Sequence, residues 1–387
     1  MKLEDVKSIT ILGSGAMGHG IAQVCIVAGF EVIMRDIKQE FLDNGVAKIK
    51  DSLDFLVGKG KMTQEDSDAA MARLTITTDI NDAVKDAKLV IEAVPEVMDL
   101  KKSVFKEVSD LVADDVIIAT NTSTMSISEI ATVVTNPERF VGMHFFNPVN
   151  RMKLVEVIYG DKTSDETADL LCEVSKKYNK VPIKVLKDRP GFIVNRISAP
   201  NQAFISAMLD EGTVVTDEVD TLMKSMGQKM GPFEIADFVG IDVFAHTLSY
   251  YAETLSPDFK PGKYLTDKIN SNDLGLKTGK GIYNWENGKA VIDGSKSSED
   301  VGPIDFAAIQ VNEAVRVFKE GIAGSTKDID DACKFGMGAF IGPFELGAGM
   351  EPQQLTDTLN KLADKFNLEI LRPEPEIVDG SFKTLGQ

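Results

Sequence analysis

Histidine occurs three times in this chain, and one of the three stands apart by its surroundings. His144 lies in Val141-Gly142-Met143-His144-Phe145-Phe146-Asn147-Pro148, at the end of an apolar run and expected just past a sheet. Twelve residues on, Leu154-Val155-Glu156-Val157-Ile158 carries a single carboxylate in an otherwise apolar strand. Side chains alternate along a strand, so Leu154, Glu156 and Ile158 share one face. If that face is buried, Glu156 is costly unless something donates to it, and an imidazolium is a suitable donor. A histidine so paired takes up a proton while its cation is stabilised, as a general base for alcohol oxidation must. The same spacing also suits a structural histidine beside an edge-strand glutamate, and residue types alone leave both readings open. His19 and His246 fall in helical runs and read as packing or surface residues.

A second chemical signal is Gly13-Ser14-Gly15-Ala16-Met17-Gly18, a G-x-G-x-x-G sequence between the strand-like Ser8–Leu12 and a helical stretch. Gly13 permits a tight turn, Gly15 lets a pyrophosphate approach the backbone, and Gly18 allows close helix–strand packing. The helix start that follows offers free N–H groups and a positive dipole end to phosphates. Asp36, at the end of the next strand, is placed to accept from the adenine ribose hydroxyls and would repel a 2′-phosphate, which favours NAD over NADP. Arg35 and Lys38 weaken that preference without reversing it.

These residues need a scaffold, and the first third of the chain describes one. Strand-like runs at Ser8–Leu12, Glu31–Met34, Leu89–Val94 and Val116–Thr120 alternate with helical stretches. That is the pattern of a parallel sheet covered by helices. The insertion from Lys38 to Leu74 is long enough for a helical hairpin tipped by Lys59-Gly60-Lys61, with Lys48, Lys50 and Ser52 upstream. After Pro190 the chain turns helical, and 286–302 is a polar stretch that reads as a linker. On either side of it a pattern recurs: Glu211-Gly212 as Glu320-Gly321, Asp217-Glu218-Val219-Asp220 as Asp328-Ile329-Asp330-Asp331, and Gly231-Pro232-Phe233-Glu234 as Gly342-Pro343-Phe344-Glu345. The offsets of 109, 111 and 111 residues imply one helical unit present twice. The expected architecture is an α/β Rossmann-like NAD-binding domain over 1–187 with the hairpin 38–74, then two mainly α-helical tandem duplicates, 188–285 and 303–387.

Composition bounds the function. The 387 residues are 43% hydrophobic and 26% charged, which excludes a largely disordered chain. A formal charge of −18 argues against nucleic acid or an anionic membrane surface as partner. Three scattered cysteines (Cys25, Cys172, Cys333) make neither a disulfide framework nor a metal site. No apolar run reaches the roughly 18 residues a membrane span needs, and Met1-Lys2-Leu3-Glu4-Asp5 does not read as a signal peptide. A cytoplasmic protein is expected.

Taken in order, Gly13-Ser-Gly-Ala-Met-Gly18, Asn121-Thr-Ser123, His144-Phe-Phe-Asn147-Pro, Met152-Lys-Leu-Val-Glu156-Val and Asp188-Arg-Pro-Gly-Phe-Ile-Val-Asn195-Arg resemble the L-3-hydroxyacyl-CoA dehydrogenase family, especially its bacterial 3-hydroxybutyryl-CoA members. The resemblance runs from about residue 7 to 284. It implies that His144 is the base and Glu156 its orienting partner. Ser123 would hydrogen-bond the reacting oxygen, and Asn195 would complete the polar site. Glu96, Lys101, Asn147 and Lys277 match nucleotide-contacting positions, and Ser52 and Lys59 match CoA-contacting ones, so the lysine cluster becomes a cradle for CoA phosphates. The implied activity is reversible, NAD-dependent oxidation of an (S)-3-hydroxyacyl-CoA to the 3-ketoacyl-CoA. Two competing readings are a dehydrogenase of a small hydroxy acid, which would not need the lysine cluster, and a non-catalytic NAD-binding protein, which need not keep Ser123, His144, Glu156 and Asn195 together. Related multifunctional fatty-acid oxidation enzymes also carry paired helical copies. No hydratase segment precedes the fingerprint, and that activity is not expected here. Family members with one copy pair their helical domains across a two-fold axis. With both copies on one chain, an internal pseudo-dimer is expected, hence a monomer, while exchange between chains would give a homodimer.

Overall fold

A computed structural model describes residues 1–386. The chain opens with β1 (Ser8–Leu12), α1 (Gly18–Val27), β2 (Glu31–Arg35), α2 (Gln39–Gly58), α3 (Gln64–Met71) and β3 (Leu74–Thr77). It continues with α4 (Ile80–Val84), β4 (Leu89–Glu92), α5 (Met98–Leu111), β5 (Ile117–Thr120), α6 (Ile127–Ala131), β6 (Phe140–Phe145), β7 (Leu154–Ile158), α7 (Asp165–Lys177) and β8 (Val181–Val185). The eight strands form one sheet in the order β3-β2-β1-β4-β5-β6-β7-β8. Neighbours are parallel except β6 and β7, which run antiparallel. Every residue of β4 to β7 is buried, which explains their nearly unbroken apolar runs. The order 3-2-1-4-5-6 reverses between β1 and β4, where doubly wound sheets open a crevice at their strand ends. Helices start where side chains satisfy free N–H groups: Thr63 caps α3, Asp79 caps α4 and Ser164 caps α7. The insertion forms the expected hairpin, α2 and α3, with Lys59-Gly60-Lys61 at its turn.

The rest is helical: α8 (Val194–Glu211), α9 (Thr216–Ser225), α10 (Pro232–Val239), α11 (Ile241–Thr254), α12 (Lys263–Asn270), α13 (Pro303–Lys319), α14 (Thr326–Met337), α15 (Pro343–Ala348), α16 (Pro352–Phe366) and α17 (Pro375–Asp379). None of the described helices is long and apolar enough to cross a membrane. The segment 286–302 differs from a free tether. It carries a two-stranded hairpin, β9 (Trp285–Glu286) and β10 (Lys289–Ala290), and is then stitched to α9, Asp293 N donating to Asp217 Oδ1 (2.6 Å) and Ser298 N to Glu218 O (3.1 Å).

Packing divides the chain into two compact units: Met1–Val194 with Gly321–Phe340, and Asn195–Glu320 with the chain from Ile341 onward. This cuts the chain differently from the expected domains 1–187, 188–285 and 303–387, and the physical reason is local. Leu186 N donates to Ile322 O (2.7 Å) and Val185 bridges Ala323, so 321–323 line the outer edge of β8, and α14 rests on β7 and β8. In the other unit one apolar core holds residues from both halves of the helical region. Phe204 meets Phe306 and Phe366 edge-on at 5.4 and 5.2 Å. Buried Arg196 donates to Glu313 (2.5 Å) and Glu320 (2.8 Å).

Candidate active site

The glycine fingerprint sits at the carboxyl end of β1. Gly13 has φ +97°, and a Cβ there would lie 2.6 Å from Ala93 O, so only glycine fits. A Cβ on Gly18 would lie 1.8 Å from Gly13 O, which fixes the close approach of α1 to the turn. Around Gly15 there is open space, as an approaching phosphate requires, with Ala16 and Met17 completing the turn into α1. His19, the second residue of α1, hydrogen-bonds through Nδ1 to Gly15 O (2.6 Å). Asp36 is anchored by Ser14, whose backbone N (2.7 Å) and hydroxyl (2.8 Å) both donate to Oδ2, while Ile37 N donates to Oδ1 (2.7 Å). The Ser14 contribution was invisible in the sequence, where the position reads as a variable one. A dinucleotide fits this cradle: an open glycine, a helix start and an oriented carboxylate.

His144 lies within β6 rather than just past the sheet, and its direct cross-strand partner is Glu156. His144 Nδ1 and Glu156 Oε2 are 2.7 Å apart. The edge-strand alternative fails, because β7 is flanked by β6 and β8 and Glu156 is 0% exposed. Its other oxygen, Oε1, accepts from Ile193 N (3.1 Å) and Val194 N (3.0 Å). The two N–H groups converge because Gly191 and Phe192 both take positive φ (+81° and +54°), turning the backbone into an anion-holding nest. Asp188 pins the start of this loop, accepting from Ser126 Oγ (2.6 Å) and Ser128 N (2.8 Å). The Phe146 and Phe192 rings flank the imidazole at 4.4 and 5.8 Å. A carboxylate oxygen can only accept, which favours the tautomer with its proton on Nδ1 and leaves Nε2 as the ring nitrogen able to take up another.

At the ends of β4 and β5 lies a charge cluster. Lys101 is buried and pairs with Glu92 (2.6 Å) and Glu96 (3.1 Å). Burial pushes the Glu92 carboxyl up despite Lys101 and the hydrogen bond from Thr120. For Glu96 burial acts the same way, but Lys101, Thr122 and the Ser123 backbone outweigh it and hold the carboxyl below its usual range. Ser123 N donates to Glu96 Oε1 (2.9 Å), and Asn121 Oδ1 accepts from Phe145 N (2.9 Å), tying β5's end to the histidine strand. Glu92 escaped the sequence reading because a carboxylate closing an apolar strand looks like a strand exit.

The loop after β6 contains exposed Asn147 and a cis Asn147–Pro148 bond. Buried Lys180 holds this loop from inside, donating to Val149 O and to Met152 O (2.6 Å); burial lowers its pKa to about 8, with Lys153 adding to the shift. Ser52 Oγ accepts from Gln23 and Asn150 (both 2.9 Å), which leaves its hydroxyl proton for an outside acceptor, and Lys59 is exposed just past α2. Asn195 and Lys277 belong to the helical unit, where Lys277 pairs with Asp242.

Residues 8–189 match the family model of the 3-hydroxyacyl-CoA dehydrogenase NAD binding domain, and 191–285 that of the 3-hydroxyacyl-CoA dehydrogenase C-terminal domain. A fatty acid oxidation complex subunit alpha from Idiomarina loihiensis is 35% identical over 94% of this chain, which spans only 53% of that relative. A probable 3-hydroxybutyryl-CoA dehydrogenase from Deinococcus radiodurans is 40% identical over 71% of this chain and 99% of its own. Among solved structures, 3-hydroxybutyryl-CoA dehydrogenase from Escherichia coli K12 superimposes with TM-score 0.88 at 27% identity, covering 98% of this chain and 99% of its own. The chain thus spans about half the length of the first curated relatives it matches.

Proposed function

The chain belongs to the 3-hydroxyacyl-CoA dehydrogenase family, and on that premise we propose that it interconverts an (S)-3-hydroxyacyl-CoA and the corresponding 3-ketoacyl-CoA with NAD. The observation that carries this is the buried His144–Glu156 pair, with both carboxylate oxygens engaged and the imidazole Nε2 left basic. In the oxidative direction Nε2 takes the hydroxyl proton, and the imidazolium is stabilised by a carboxylate that two backbone N–H groups hold in place. The flanking rings of Phe146 and Phe192 keep water away and so strengthen the pair. NAD supplies the hydride acceptor. Gly13, Gly15, Ala16, Met17, Gly18 and Asp36 would hold its adenosine and phosphates, and Glu96 and Asn147 its nicotinamide half. The Lys101 charge, already shared by two carboxylates, orients Glu96 in this reading; Lys277 is proposed as a further nucleotide contact. Ser123 is proposed to hydrogen-bond the reacting oxygen and Asn195 to complete its polar surroundings. Ser52 and Lys59 are assigned to CoA. Purified protein tests this directly: NADH should be consumed with acetoacetyl-CoA and longer 3-ketoacyl-CoAs. Consumption with small keto acids but no CoA ester would contradict the substrate class.

We also infer that the helical region is one unit present twice. Helix α9 recurs as α14, α10 as α15 and α11 as α16 at spacings near 111 residues, and α8 as α13 at 109. The shared core around Phe204, Phe306 and Phe366 supports a pseudo-dimer within the chain and hence a monomer in solution.

A further inference from the structure

The second helical copy, with no histidine of its own, reads as scaffold. Its helix α14 nonetheless belongs to the compact unit that contains the sheet. We infer that Gly336, on α14, is a positioning residue for the catalytic pair: by admitting helix backbone where a side chain would stand, it seats Phe146 against the His144 ring and closes the face of β7 that carries Glu156. The inference rests on the reading of His144 and Glu156 as base and partner.

Four observations converge on it. Ile322 and Ala323 hydrogen-bond along the outer edge of β8 and deliver α14 onto β7 and β8. Leu154 and Glu156 share a face of β7, and a Cβ on Gly336 would lie 2.6 Å from Leu154 Cδ2, 3.1 Å from Val194 Cγ2 and 3.4 Å from Phe146 Cε1. Those three residues are tied to the pair by sheet, backbone and ring: Leu154 shares its strand, Val194 N donates to Glu156, and the Phe146 ring leans on His144 at 4.4 Å, tilted by 49°. One turn earlier on α14, the buried Cys333 thiol is pushed up to about 12 by burial and then by the charges of Asp330 and Glu156, which places it within the field of the carboxylate. The repeat supplies an internal control. At the 111-residue offset the first copy has Ser225 in the equivalent place, so the helical unit itself does not require glycine there. Glycine within a helix costs about 1 kcal/mol relative to alanine, and here its presence coincides with the approach to three residues of the site.

The test uses the full chain with Gly336→Val and Gly336→Ala, measuring single-turnover NADH oxidation by acetoacetyl-CoA, NADH binding stoichiometry and the pH–rate profile. Displacing a catalytic group by about an ångström can cost up to 100-fold, so Gly336→Val is expected to lose about 10- to 100-fold in rate per NADH-binding site. The pH–rate profile should shift while the NADH dissociation constant stays within about twofold of wild type. Gly336→Ala meets first the mobile end of Leu154 and should fall about two- to tenfold; should the valine variant not fold, the alanine variant decides. A folded, NADH-binding variant with wild-type rate and pH profile would overturn the inference, as would a rate loss that merely tracks lost NADH-binding sites. A wild-type protein inert toward every 3-ketoacyl-CoA would instead overturn the proposed function, and the wild-type arm reports that before any variant is compared.

Discussion

Glu156 commits both oxygens to the protein, one to His144 and one to two backbone N–H groups, so an amide that keeps its oxygen on the backbone turns its NH2 toward Nδ1 and drives the imidazole proton onto Nε2. Glu156→Gln is therefore expected to lower turnover by on the order of 10⁴-fold, as when the carboxylate behind a catalytic histidine is neutralised. Steady-state kinetics with NADH binding measured in parallel would check this; unchanged turnover would return Glu156 to a structural role. Asp36→Ala removes the carboxylate proposed to accept from the ribose, together with the anchor of Ser14. Losing a charge-assisted hydrogen bond should weaken NAD roughly tenfold to hundredfold, and the NAD/NADP preference should narrow. Isothermal titration with both nucleotides measures it, and a wild type that already prefers NADPH would contradict the assignment. The pair was legible as a candidate because each of two apolar runs holds a lone polar residue, while residue types alone left the structural reading equally open. Ser14, Glu92 and Lys180 were not, since a serine in a loop, a carboxylate at a strand end and a lysine between helix and strand acquire meaning only from partners far away in sequence.

Loops, more than strands, decide the site's shape. The segment 188–194 works through backbone groups, and only its glycine and the pinning Asp188 leave a trace in residue types. The loop 146–152 is held by Lys180, whose buried ammonium fills two carbonyls. Its folded pKa of about 8 lies below the value near 10.4 of an unfolded lysine. Between these values the unfolded chain binds more protons, so the Lys180 contribution to stability rises with pH there and is lost as pH falls through 8. The stability difference between wild type and Lys180→Met should thus grow from pH 8 to about 10.4, by on the order of 3 kcal/mol at most. Urea unfolding across that range reads it; a pH-independent difference would show that Lys180 is not desolvated. Among the helices, the hairpin α2–α3 followed from the length of the insertion between Lys38 and Leu74. The placement of α14 did not, because the repeat suggested that the second copy packs against the first, and Gly336 and Cys333 reveal their surface only once β7 is in place.

Across the whole molecule, one apolar core joins residues from both halves of the helical region, while the sheet's capture of residues 321–340 could not be read from the repeat. Ending the chain before residue 290 would strip α13 and α16 from Phe204 and leave a large apolar surface open. Such a fragment should dimerise or aggregate, whereas the intact chain should remain a monomer by light scattering; a soluble, monomeric and fully active fragment would contradict the internal pseudo-dimer. It should also lose activity, since α14 goes with the deleted part. The claim on which everything else depends is that His144 moves the proton in the oxidation of a 3-hydroxyacyl-CoA by this chain. The most direct measurement is single-turnover NADH oxidation by acetoacetyl-CoA in intact wild type and His144→Gln, with NADH affinity determined on the same samples. A loss of about 10²- to 10⁴-fold is expected, with NADH affinity unchanged. A His144→Gln protein that turns over within a few-fold of wild type would contradict it.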